Sequence, residues 1–150
     1  MDNNLEICRS YFQAKHYFVN HTIPFNRGEN SIDLLAIDPL NQVVYDCMIK
    51  RYEKKHMSET KFTTISRNLN DIKRSLRVKS YIGDLLISNF EYRKVVITSS
   101  FIKNDYWANK FEEHNIEVMF LTDLIAELRE MPFKNCQLLT DHIINVIKLG

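Results

Sequence analysis

Asp33 and Lys50 are the two residues whose types and placement could do chemistry together. Asp33 sits in the run Ser31-Ile32-Asp33-Leu34-Leu35-Ala36-Ile37, and Lys50 closes Val43-Val44-Tyr45-Asp46-Cys47-Met48-Ile49-Lys50. Both runs have the length and composition of strands, and Asp38-Pro39-Leu40-Asn41 between them is a strong turn signal. A carboxylate and an ammonium on two neighbouring strands form a simple cradle for a divalent metal ion and a phosphodiester. The carboxylate suits a hard cation, and the ammonium steadies charge that develops on phosphoryl oxygen.

The elements needed to position this pair can be read along the chain. Leu5, Cys8, Tyr11 and Phe12 recur at helical spacing over residues 4–16, with Asn3 or Asn4 as the cap. Residues 17–23 read as a strand and 24–30 as a polar loop. After the two motif strands, Ser58 is an N-cap with Glu59 near the positive helix end. Phe62, Ile65, Leu69, Ile72 and Leu76 step by three and four and predict one helix with a buried stripe. Arg67 and Arg74 fall on its opposite side, with Lys61 and Lys73 flanking. Residues 81–90 read as a second helical piece. A strand over 94–99, a helix capped by Asn104 or Asp105, a strand over 116–120 and a helix capped by Thr122 follow. That alternation implies parallel pairing. A final amphipathic helix over 132–150 is expected to pack on the same domain, with a homodimer seam as the lesser expectation.

The chain has 150 residues, enough for one domain, and 45% of them are hydrophobic, ample for a core. No apolar run approaches the roughly 18 residues of a membrane span. Met1-Asp2-Asn3-Asn4 lacks a basic leader, so a cytoplasmic protein is expected. Cys8, Cys47 and Cys136 are odd in number and unrelated in spacing, which predicts reduced core residues. The five histidines show no ligand pattern. The net charge of +1 hides an asymmetry: residues 50–79 hold ten cations against three acids, net +7, and the remainder ten against sixteen, net −6. A basic block in an acidic chain suits a polyanion-facing surface or, more plainly, a solvated helix face. Its place directly after the Asp33–Lys50 strands favours nucleic acid, with Arg51, Lys54, Lys55, Arg67 and Arg74 as contact candidates.

Taken in order, these segments resemble the Mrr-type restriction endonuclease branch of the PD-(D/E)XK nucleases. Glu6 matches the acid of the opening helix and Tyr17-Phe18-Val19 the following strand. Ile32-Asp33-Leu34-Leu35-Ala36 is similar to the acid strand, and Met48-Ile49-Lys50-Arg51-Tyr52 to the lysine strand. Val95 to Phe101, residues 104–114 and Asn115-Ile116-Glu117-Val118 resemble the closing half, so the likeness spans about 5–131. It implies an α/β restriction-endonuclease-like domain over 1–131: three α/β/α layers around a central mixed five-stranded sheet flanked by helices, plus the C-terminal helix over 132–150.

The resemblance also implies metal-dependent hydrolysis of duplex DNA. Asp33 would hold Mg²⁺ (or Mn²⁺) with the Ile49 carbonyl, Glu6 would hold a metal-bound water or a second ion from the first helix, and Lys50 would act on the nucleophilic water or the phosphate. The chain departs from the family where Glu29-Asn30-Ser31 replaces a Gly-rich turn, and where Met48 replaces Gln or Glu. A thioether is a soft, weak donor for Mg²⁺. Asp46 shares the strand face of Met48 and Lys50, about 7 Å away by strand rise. It and Glu59 are the candidate substitute acids, against the plainer roles of an exposed strand acid and a helix-start charge. Ser99 has no glycine elbow or partnered histidine, so a phosphate or backbone contact is expected there. Two functions follow: an Mrr-type endonuclease with an altered site, or a nucleic-acid-binding module of the same fold that has lost catalysis. A protein-interaction role for the last helix is a third, less favoured.

Overall fold

A computed structural model of the chain describes residues 3–26, 30–50, 57–83, 89–99 and 104–131. In chain order the elements are α1 (Asn3–Ala14), β1 (Phe18–Asn26), β2 (Asn30–Asp38), β3 (Val43–Lys50), α2 (Glu59–Leu69), α3 (Ile72–Ile82), β4 (Glu91–Thr98), α4 (Asn104–Glu113), β5 (Ile116–Phe120) and α5 (Leu121–Glu130). The strands form one mixed five-stranded sheet in the order β1-β2-β3-β4-β5. β1–β2 and β2–β3 pair antiparallel, and β3–β4 and β4–β5 pair parallel. The expected α/β class and mixed five-stranded sheet are therefore present.

Helices cover both faces. Strand alternation sends Tyr45, Cys47 and Ile49 of β3 to the face where α1 and α5 pack, around Phe12, Leu34, Val95 and Leu124. Val44, Asp46, Met48 and Lys50 take the other face. There Met48 packs with Phe62, Ile65 and Leu69 of α2 and with Trp107 and Phe111 of α4. Val44 packs with Leu35 and with Val78 of α3. Cys8 and Cys47 are buried free thiols in the α1 layer. Among the described residues, no helix is long and apolar enough to cross a membrane.

The β2–β3 turn forms as its composition predicts. Asp38 Oδ1 accepts the Leu40 and Asn41 N–H groups at 3.1 and 3.2 Å, and Oδ2 accepts the Asn41 side-chain amide at 2.8 Å. Ser58 caps α2, its Oγ accepting the Lys61 N–H at 3.2 Å. Asn115 joins α4 to β5 at φ 62°, a left-handed conformation that asparagine tolerates better than most residues.

Four expectations are corrected. The loop begins later than expected: β1 continues through Pro24 to Asn26, paired with Ser31 and Asn30. A proline is tolerated there because β1 is an edge strand. The basic segment forms two helices instead of one. Asn70 closes α2, and Asp71 caps α3 by accepting the Lys73 N–H at 2.9 Å. The apolar stripe therefore ends at Leu69, leaving Ile72 73% and Leu76 57% exposed. Of the second helical piece expected over 81–90, Tyr81 and Ile82 instead finish α3, and 84–88 lie outside the described residues. Finally, α5 starts at Leu121 with Phe120 at its N-cap, which makes no side-chain cap bond, so Thr122 is inside the helix. The helix expected over 132–150 lies outside the described residues.

Candidate functional site

The β2–β3 ladder pairs Asp38↔Val43 through Leu34↔Cys47. Beyond that pair a side chain takes over from the main chain: Asp33 Oδ2 accepts the Ile49 N–H at 2.8 Å. That bond fixes the Asp33 carboxylate beside the C-terminal end of β3. A half-open pocket of about 180 Å³ lies there, walled by Asp33, Met48, Lys50, Asn68 of α2 and Arg74 of α3, with Phe25 of β1. The acid and lysine chosen from sequence thus meet in one cavity. Burial lifts the Asp33 carboxyl above its ordinary range, against the pull of the Ile49 N–H bond and then of Arg74 and Lys50; Asp46 pushes it further up.

Two of the sequence-predicted residues have exchanged roles. Asp46 is 0% exposed and Arg74 only 1%. Arg74 Nε donates to both carboxylate oxygens, at 3.0 and 2.9 Å, and Nη2 donates to Oδ1 at 2.7 Å. The Tyr92 hydroxyl donates to Oδ2 from β4. Asp46 is thus neither an exposed strand acid nor a substitute metal ligand, because its oxygens are committed to the guanidinium and the phenol. Arg74 is no outward-facing contact, because the break at Asn70–Asp71 turns it inward. Burial, followed by the charge and hydrogen bond of Asp46, pushes the Tyr92 hydroxyl well above its ordinary value, so the tyrosine stays a donor.

Met48 belongs to the core. It is 5% exposed and packs against α2 and α4, with one side reaching the pocket. Glu59 is the exposed helix-start charge, paired with Lys110 of α4 and outside the pocket wall. Glu6 pairs with Arg9 at 3.7 Å on α1, whose buried side packs on the opposite face of the sheet, and the structure does not bring it to the pocket. Ile49 enters the site through its N–H. Ser99 follows the end of β4, half-buried, and does not line the pocket. Arg67 is exposed on α2, as expected, next to the pocket residue Asn68. Arg51, Lys54 and Lys55 lie outside the described residues.

The donor set is a poor fit to Mg²⁺ or Mn²⁺. Hard cations need several oxygen ligands, carboxylates foremost, and among the described residues the pocket offers one carboxylate and the neutral oxygens of Asn30, Ser31 and Asn68, beside a thioether and two cations. Among the described residues, no three His, Cys, Asp or Glu side chains come together to hold a metal ion. Four relevant residues escaped the sequence reading: Arg74 as pocket wall, Tyr92, Asn68 and Thr98. Thr98 lies level with Lys50 in the β3–β4 register, and its Oγ1 is the one buried side-chain polar atom without a hydrogen-bond partner among the described residues. Asn70-Asp71 was the available signal for Arg74, since a capping pair interrupts a helix and changes which face comes next.

Comparison with known proteins identifies no family: no family model matches the chain, and neither a curated protein nor a solved structure matches it.

Proposed function

We propose that this chain is a nucleic-acid-binding domain of the restriction-endonuclease-like kind, with an incomplete hydrolytic centre. The observation that carries this reading is the composition of the pocket: Asp33 and Lys50 converge, but the third position is the core residue Met48, and Asp46 on the same strand face is locked to Arg74. The pocket opens between β1–β3 and the α2–α3 pair. Arg67 on α2 and Lys73 and Lys79 on α3 are exposed, which gives a duplex a set of cations for phosphate contact. Duplex DNA is the expected partner.

The test is duplex binding in a metal chelator across a salt series, beside a cleavage assay with Mg²⁺ or Mn²⁺. Binding should persist without metal, and log affinity should fall with log salt by roughly 0.9 for each phosphate neutralised. A flat salt response overturns the reading. Because Asp33 and Lys50 do share one pocket, a metal-dependent endonuclease is the second reading. It is the one to adopt if wild-type protein cuts DNA and both Asp33→Ala and Lys50→Ala abolish the cut.

A further inference from the structure

Arg74 has five N–H donors, and their partners can be assigned one by one. Nε is held by both oxygens of Asp46, while Nη2 donates to Asp46 Oδ1 and reaches the Cys47 carbonyl at 3.5 Å. That leaves the two N–H groups of Nη1, which have no partner among the described residues. Arg74 is 1% exposed, yet it forms part of the pocket wall. The Phe25 ring, 5.6 Å from the guanidinium carbon, covers its flat face. The Nη1 edge is therefore what remains of this side chain to meet a ligand in the pocket it lines.

Lys50 and Asn68 share that wall, both with donors, and Asp33 is its one carboxylate among the described residues. Among the described residues, the charged groups lining the space are Arg74, Lys50 and Asp33, with the Arg74 charge balanced by Asp46 behind it. The half-open cavity of about 180 Å³ has room for a phosphate group. A buried guanidinium held from behind has already lost its rotamer freedom, so gripping an anion costs it little further ordering. Guanidinium also matches phosphate geometry better than an ammonium does.

We infer that this pocket is a metal-independent seat for one phosphate of the nucleic-acid backbone, gripped by Nη1 of Arg74 and the Lys50 ammonium, with Asp46 and Tyr92 fixing the guanidinium from behind. The inference rests on the nucleic-acid reading for the identity of the ligand, but not for the existence of the seat. Arg74 here takes the part that a bound cation would otherwise play, which gives the buried Asp46–Arg74 pair a use beyond packing.

The decisive variant removes the pair together: Asp46→Leu with Arg74→Met. Replacing a buried ion pair by apolar residues of similar volume is often neutral or stabilising, so the fold should survive, as a cooperative melt will show. All binding is measured in chelator. Inorganic phosphate should raise the melting temperature of wild type above that in chloride of equal ionic strength, and should do nothing for the double variant. The variant's duplex affinity should lose about one phosphate's worth of salt slope, roughly 0.9. Lys50→Gln leaves the Asp46–Arg74 pair intact and should lose the same phosphate effect, which keeps the test open if the double variant does not fold. Duplexes with 5′-hydroxyl and 5′-phosphate ends should bind equally; a requirement for the 5′-phosphate overturns the assignment to internal backbone. If the folded double variant keeps both the phosphate effect and the full salt slope, the seat is wrong and Arg74 is only structural, while the nucleic-acid reading stands. If phosphate stabilises wild type through Arg74 but no duplex binds, the seat stands and that reading falls.

Discussion

Asp46 and Arg74 are 28 residues apart in the chain and make three hydrogen bonds in the interior. Removing one partner strands the other as a buried charge. Arg74→Met alone should therefore destabilise the domain by about 3–5 kcal/mol, and adding Asp46→Leu should return most of that loss. Paired urea titrations of the single and double variants check this. Asp33 has the opposite energetics, since its folded pKa lies above its unfolded value. The folded state then holds the Asp33 proton more tightly, a contribution fully present below the unfolded pKa and lost as pH rises through the folded one. Asp33→Asn keeps an acceptor for the Ile49 N–H and has no charge to bury. Its stability advantage over wild type should be small below the ordinary carboxylate range and grow toward neutral pH, as read from urea midpoints at several pH values. At this scale the sequence was informative where neighbours in the chain decide the outcome. Asp33 and Lys50 end strands that a four-residue turn must place side by side, so their meeting was legible. Arg74 was not, because its direction depends on a helix break and on a carboxylate on a different strand.

The α2–α3 junction decides which cations face solvent. In an unbroken helix, Ile72 and Leu76 would extend the stripe of Phe62, Ile65 and Leu69. Asp71 restarts the helix instead and presents Arg74 and Val78 to the sheet. Asp71→Ala removes the cap that accepts the Lys73 N–H and should cost about 0.5–2 kcal/mol. The loss should appear in urea unfolding, and faster amide exchange should be confined to the first turn of α3. Periodicity predicted the buried half of α2 correctly and misassigned α3, since the period of 3.6 carries no information across a cap. Pro24 misled in a similar way. Proline marks a loop in most contexts, yet an edge strand can hold it without losing a ladder bond.

Across the whole molecule, the basic face is smaller than the charge count of residues 50–79 suggests. Arg74 is neutralised inside, and Arg77 donates to the Pro24 carbonyl at 3.1 Å. Exposed cations such as Arg67 and Lys73 then contribute the long-range attraction. Arg67→Ala with Lys73→Ala should flatten the duplex salt slope by up to about 1.8 and leave the phosphate effect on melting unchanged, as salt-series titrations and melts on the same protein will show. The α/β class and the mixed sheet were legible because the strand runs are short, apolar and separated by turn or capping residues. The closure of the pocket was not, because it depends on how α3 docks. The spatial order of the strands also has a consequence in time. It repeats their order in the chain, so each strand can add to the edge left by the one before, beginning with a meander of two antiparallel pairs. Local antiparallel contacts form sooner than parallel pairs that wait for a crossover. During refolding, backbone amides of the β1–β2–β3 meander should gain protection from exchange before those of β4 and β5, and Asp46 should remain wet until α3 arrives to cover it.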